Sequence, residues 1–285
     1  MKFSECIVKF RLLKQAKVSS ETMRYYNGKL PIIERYLGNH DVADIDEYTI
    51  AQFVIDQQKR NPSISNRTLN YYTKIITRIV KDITGREIKI QKRTERKQRI
   101  PRVSEDNILK ILKYYQNNID FANNKKYYLI IRLFLETGVR LNELVNIKIK
   151  NINLPLRSIY LDVTKSQRDR MVYFSKETRI LLLSYIDTYI EDQIYLFPSK
   201  NGNSHLQKQS LYKTVYRLQN RLGIEQSISP HKWRHTFAKK YKRRGGDLPS
   251  LQAILGHTEL NTTKMYLDYE DDELKEIYDQ IMGFN

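Results

Sequence analysis

Strict alternation of apolar and polar residues, the mark of a half-buried strand, appears in one stretch of this chain, and that restriction decides its fold class. Ile159, Leu161 and Val163 alternate with Tyr160, Asp162 and Thr164, and after a polar turn Val172 and Phe174 resume the alternation. The segment reads as an antiparallel hairpin whose tip holds Lys165 to Arg170. Elsewhere the apolar positions recur every three or four residues, as on helices packed along one face. The expected fold is therefore mainly α, with a small antiparallel β-hairpin or sheet.

The helical signals fall into two groups. In the first, Ser19 and Ser20 stand ready to cap a helix carrying Met23, Tyr26, Leu30, Ile33 and Leu37. Pro31 interrupts that pattern and is expected to kink or split the helix. Asp46 precedes a helix with Ile50, Phe53, Val54 and Gln57, and Ser65 one with Leu69, Tyr72, Ile75, Ile76, Ile79 and Val80. An opening helix around Phe3 to Leu13 completes a small helical domain over 1–88.

A different kind of sequence follows. Lys89, Lys92, Arg93, Arg96, Lys97, Arg99 and Arg102 face a single acid, Glu95, and Pro101 punctuates the end. This basic stretch, 89–103, is expected to link the domains, and Lys92, Arg93, Arg96, Lys97 and Arg99 are candidates to lie along a phosphate backbone. Helices resume at Ser104, and 104–285 reads as a second, mixed α+β domain ending in a helix over Glu270 to Met282.

Charge narrows the partner. Lys and Arg number 50 against 32 Asp and Glu, for a formal net charge of +18 at pH 7, more than solubility requires, so nucleic acid is the expected polyanion. With Cys6 as its one cysteine the chain has no internal disulfide and no thiolate-rich metal site. The amino terminus lacks the layout of a signal peptide, and no apolar run approaches a membrane span, so a cytoplasmic protein with no membrane partner is expected.

Four short segments gather groups suited to a phosphodiester: Thr137-Gly138-Val139-Arg140-Leu141-Asn142-Glu143, the hairpin Lys165, His231-Lys232-Trp233-Arg234-His235, and Leu255-Gly256-His257 followed by Tyr266. Each alone is weak, since a tyrosine is cheap in a chain with 21 and a lone histidine is more often structural. On a helix His231, Arg234 and His235 share one face, with Phe237 as an apolar anchor. Arg140 and Glu143 lie three apart after a glycine that allows a tight turn, either a surface ion pair or a carboxylate holding a functional arginine.

In order and spacing these segments resemble the tyrosine recombinase family of phage integrases, Xer recombinases and transposon resolvases, over nearly the whole length. The family's T-G-x-R-x-x-E/D, hairpin Lys, H-x-x-R, L-G-H and Tyr nine residues beyond that His are matched by Arg140, Lys165, His231, Arg234, His257 and Tyr266, with Thr262-Thr263-Lys264-Met265-Tyr266 similar to T-T-x-x-Y. Two positions depart from the pattern. Ser166 stands where glycine commonly follows the hairpin lysine, and Trp233 replaces the usual leucine. The helical first ninety residues look like the family's core-binding domain, which closes on DNA opposite the catalytic domain.

The resemblance implies a site-specific recombinase that cleaves and rejoins duplex DNA through a 3′-phosphotyrosyl link to Tyr266 and a Holliday junction. Arg140 and Arg234 would clamp the phosphate, His231 assist the phenol, Lys165 protonate the leaving oxygen, and His257 bond a non-bridging oxygen. Glu143 would orient a neighbouring histidine or lysine, and Arg168 and Arg170 contact DNA or substitute in part for Lys165. No metal or other cofactor is required. The implied assembly is a homotetramer on an inverted-repeat core site, and with little room for an arm-binding domain an Xer-like or resolvase-like member is favoured over a lambda-type integrase. Rival readings are a non-catalytic site-specific DNA-binding protein, a type IB topoisomerase-like enzyme and a metal-dependent nuclease; a relaxation assay and EDTA resistance discriminate the last two.

Overall fold

The computed structural model describes residues 1–95, 102–120, 123–162, 169–189, 193–202 and 204–256. The chain divides into two compact units, Met1–Gln98 and Arg99–Asn285. No helix among the described residues is long and apolar enough to cross a membrane.

The first unit is a four-helix cluster: α1 (Phe3–Gln15), α2 (Ser20–Leu37), α3 (Glu47–Arg60) and α4 (Asn66–Thr84). The starts follow from side chains that satisfy orphan backbone donors. Ser19 accepts from the Thr22 amide, Asp46 from Thr49 and Ser65 from Thr68. Phe3, Phe10, Leu30, Ile33, Phe53 and Ile76 are completely buried, and the rings of Tyr36, Phe53 and Tyr72 meet edge to face at 5.4 and 5.7 Å. Pro31 does not split α2, which runs unbroken from Ser20 to Leu37. Leu30 and Ile33 on either side of it, both fully buried, hold the two halves to one core, and that packing outweighs the lost amide donor.

Beyond α4 the chain stays attached to this unit through residue 95. Arg86 donates from Nη2 to the Val42 and Ile45 carbonyls, and Ile88 and Ile90 pack against the core. The Asn70 carboxamide then holds Arg93 as a neighbouring strand would, donating to its carbonyl at 2.9 Å and accepting from its amide at 3.0 Å. Asn66 donates to the Thr94 carbonyl, and Glu95 takes bonds from Asn70 and Arg67. Half of the basic connector is thus fastened to α4 rather than hanging as a solvated tether.

The second unit begins with α5 (Glu105–Asn117), capped by Ser104, and α6 (Asn124–Thr137). A short α7 (Leu141–Val145) leads to a three-stranded antiparallel sheet, β1 (Ile152–Asn153), β2 (Ser158–Leu161) and β3 (Arg170–Tyr173), in the order β1-β2-β3. Ile159 pairs with Val172 and Tyr160 with Met171, so Ile159, Leu161, Val172 and Phe174 face the core as the alternation required. β1, two residues long, carries no alternation to be read. Among the described residues four helices follow: α8 (Lys176–Tyr189), α9 (Lys208–Arg221), α10 (Pro230–Arg243) and α11 (Leu248–Leu255). Trp233, 1% exposed, lies in the main core, so the residue that departs from the family pattern serves packing. The hairpin tip at 163–168 and the expected terminal helix lie outside the described residues.

Candidate reaction centre

α6 packs against α10, and the residue that ends α6 also touches it. Gly138 closes that helix with φ +61°, and a Cβ placed there would stand 2.3 Å from Phe237 and 2.9 Å from Leu255. Glycine is needed twice over, for the left-handed backbone and for the approach. Its carbonyl thereby comes within reach of α10, where Arg234 Nη1 donates to it at 2.6 Å.

α10 starts at Ser229, which accepts from the Lys232 amide, with Pro230 in the first turn. Because Trp233 and Phe237 anchor the helix, Arg234 and His235 between them are carried inward, and Arg234 is 5% exposed. His231, one turn earlier, sits at the exposed end of the same helix. Burial, with the positive charge of Arg234 beside it, pushes His235 down to about 4, so its imidazole is neutral near pH 7.

The end of α11 is where the separate segments meet. The last carbonyls of a helix lack intrahelical donors and carry the negative end of its dipole. Here they receive three guanidiniums. Arg170 Nε donates to the Ile254 carbonyl at 2.6 Å. Arg234 Nη2 and Arg140 Nη1 share the Leu255 carbonyl at 2.6 and 3.2 Å, and Arg140 Nη2 reaches Gly256 at 3.2 Å. Gly256 (φ +64°) turns the chain so closely past Arg170 that a Cβ would lie 2.8 Å from its Nη1.

One carboxylate serves this group. Glu143 accepts the Arg140 amide on Oε2 at 2.7 Å and Arg140 Nη1 on Oε1 at 3.0 Å, while Arg170 grips both oxygens, Nη1 to Oε1 at 2.8 Å and Nη2 to Oε2 at 2.7 Å. Burial works to raise the Glu143 carboxyl, but the bonds and charge of Arg170, then of Arg140, outweigh it and hold it at about 2. Three positive charges against one negative leave a positive centre on Arg140, Arg170 and Arg234. Two of those cations are held side by side on one acceptor, an arrangement whose complement is an anion with several oxygens, such as a phosphate.

Of the expected site residues, Arg140, Glu143 and Arg234 come together. Among the described residues the side-chain partners of Glu143 are arginines. Arg170, expected near the hairpin tip as a DNA contact or a partial substitute for Lys165, is instead turned inward: its side chain is 6% exposed and its fork is committed to Glu143. The signal was present, since Arg170 shares the parity of Val172 and Phe174 and so belongs on the inner face of β3. Lys92 and Arg93 are exposed on the segment docked along α4. Lys165, Arg168, Arg96, Lys97, Arg99, His257 and Tyr266 lie outside the described residues. Among the described residues no three His, Cys, Asp or Glu side chains gather as a metal-holding group.

Comparison with known proteins gives a consistent answer. The family model described as the phage integrase family matches residues 101–273. The chain is 32% identical to tyrosine recombinase XerA of Saccharolobus solfataricus over 228 residues, spanning 80% of this chain and 71% of that protein. It is 27% identical to tyrosine recombinase XerC of Leptospira interrogans, over 84% of this chain and 76% of that one. Among solved structures it resembles the Tn1549 transposon integrase in complex with a circular intermediate DNA (TM-score 0.79, 17% identity, 99% of each chain). It also resembles the XerH recombinase bound to palindromic difH substrate (TM-score 0.71, 22% identity, 90% of this chain and 79% of that one). At these identities the solved structures speak for the fold.

Proposed function

The chain belongs to the phage integrase family and is a tyrosine recombinase, a site-specific recombination enzyme; we propose that it cuts duplex DNA through Tyr266 under a clamp of Arg140 and Arg234. The observation that carries this reading is the convergence of those two arginines, one at the start of α7 and one within α10, on the Leu255 carbonyl, two residues before His257 in the sequence. A phosphodiester under attack gathers negative charge on its non-bridging oxygens, and a pre-set pair of guanidiniums stabilises that charge without reorganising.

In the proposed reaction the Tyr266 oxygen attacks the phosphorus and gives its proton to His231. The P–O bond to the 5′-oxygen breaks, and Lys165 protonates that oxygen as it leaves. His257 donates to a non-bridging oxygen. The 3′-phosphotyrosine retains the energy of the broken bond, so the 5′-hydroxyl of a partner strand can attack it and release Tyr266 with no nucleotide, metal or other cofactor consumed. Reciprocal exchange of two strands gives a Holliday junction. The working assembly is a homotetramer on two inverted-repeat core sites in the cytoplasm, with the first unit closing on DNA as a core-binding domain, Lys92 and Arg93 along phosphates, and the terminal helix docked on a neighbouring copy. Resolution of dimers or cointegrates, and integration or excision of a mobile element, all use this chemistry.

The test is to incubate the protein, without metal, with nicked duplexes from its native locus and to look for a covalent adduct on a denaturing gel. Wild type is expected to form it and Tyr266→Phe to form none. Specific binding by wild type with no adduct would refute the catalytic reading in favour of a DNA-binding regulator.

A further inference from the structure

Arg170 is the member of the arginine group that the reaction above does not use. Its guanidinium is buried, and three of its five N–H donors are committed: Nε to the Ile254 carbonyl, Nη1 and Nη2 to the two oxygens of Glu143. It therefore joins three segments at once. It extends from β3, the strand that leaves the hairpin whose tip carries Lys165. It fixes the carboxylate that sets both the amide and the fork of Arg140. It seals the last turn of α11, from which the chain runs on to His257.

We propose that Arg170 is a positioning residue of the reaction centre, locking Glu143 so that Arg140 presents its fork to the scissile phosphate in one geometry. The inference rests on the assignment of Arg140 to the phosphate clamp. The charge pattern distinguishes Arg170 from a generic core arginine. Arg140 is 27% exposed, whereas Arg170, bound to the same carboxylate, is 6% exposed. Without Arg170, Glu143 would be left to Arg140 alone, and the strongest available bond for that carboxylate is the bidentate grip now made by Arg170. Arg140 would then be drawn further onto Glu143 and away from an incoming phosphate. A lysine at 170 keeps the charge and loses the fork, so it separates geometry from electrostatics.

The experiment measures single-turnover adduct formation at saturating protein on the same nicked duplexes, with DNA affinity by gel shift and the urea midpoint of Trp233 fluorescence as controls. Arg170→Lys is expected to slow cleavage at least ten-fold while the affinity stays within two-fold of wild type. A duplex with a methylphosphonate at the cut carries one negative charge fewer there and leans less on Arg140, so on it the deficit is expected to shrink several-fold. Should Arg170→Lys fail to fold, Arg170→Gln, whose carboxamide can still donate to Glu143 but lacks the charged fork, is the second variant and is expected to show the same two effects. Cleavage within two-fold of wild type, parallel loss of affinity and cleavage, or an equal deficit on both duplexes would overturn the proposal. No adduct from wild type on any duplex would instead remove the reading of Arg140 on which it rests.

Discussion

Replacing Glu143 by Gln takes one negative charge from between Arg140 and Arg170 while leaving a side chain of nearly the same size. The carboxyl stands at about 2 in the folded chain against an ordinary value of 4.5. At about 1.4 kcal/mol per unit, the ionised Glu143 contributes about 3 kcal/mol at pH 7, in line with the ~3–5 kcal/mol lost when one partner of a buried pair is removed. The folded value lies below the unfolded one, so this stability is fully present above about 4.5 and is lost as pH falls through about 2. At pH 3 about 1 kcal/mol of it should remain. The assay is urea unfolding followed by the fluorescence of Trp233, the chain's one tryptophan, which is buried in the core of the second unit and so reports on that unit. Wild type should exceed Glu143→Gln by about 3 kcal/mol at pH 7 and by about 1 kcal/mol at pH 3. A gap below about 1 kcal/mol at pH 7, or one that does not narrow with acid, would show that the carboxylate is not the charged hub the distances describe.

Gly138→Ala should destabilise the second unit by about 2–4 kcal/mol, from the left-handed backbone and the collision with Phe237, read by the same Trp233 transition; a cost under about 1 kcal/mol would mean α6 and α10 can part freely. Lys92→Ala and Arg93→Ala should each lower the slope of log affinity against log salt for a DNA duplex by about one, with little effect on which sequence is chosen; an unchanged slope would remove the docked connector from the DNA path.

Much of this architecture is legible in the sequence because its signals are local. Ser19, Asp46 and Ser65 are caps wherever they precede an apolar period, and the inward set Ile159, Leu161, Val172 and Phe174 follows from alternation alone. The unreadable parts depend on partners far away in the chain. Pro31 looks like a break until Leu30 and Ile33 are seen buried in one core. Asn70 is one polar residue among many on α4 until the Arg93 backbone arrives beside it. In the reaction centre the residue types and the Arg140–Glu143 spacing are open to reading, but the Glu143–Arg170 pair spans 27 positions and the grip of Arg170 on α11 spans 84. Arg170 in particular stands next to a polar tip, and that company disguises an inward side chain whose parity with Val172 is the one local clue.

The acceptors that gather the three arginines are main-chain oxygens of Ile254, Leu255 and Gly256. Every amino acid supplies that atom, so mutational drift along α11 cannot delete the anchorage by changing a functional group; it can do so only by altering the path of the chain. Substitution maps of this segment should therefore look permissive for chemistry and strict for shape, with Gly256 the least replaceable position and polar content at 254 of little account.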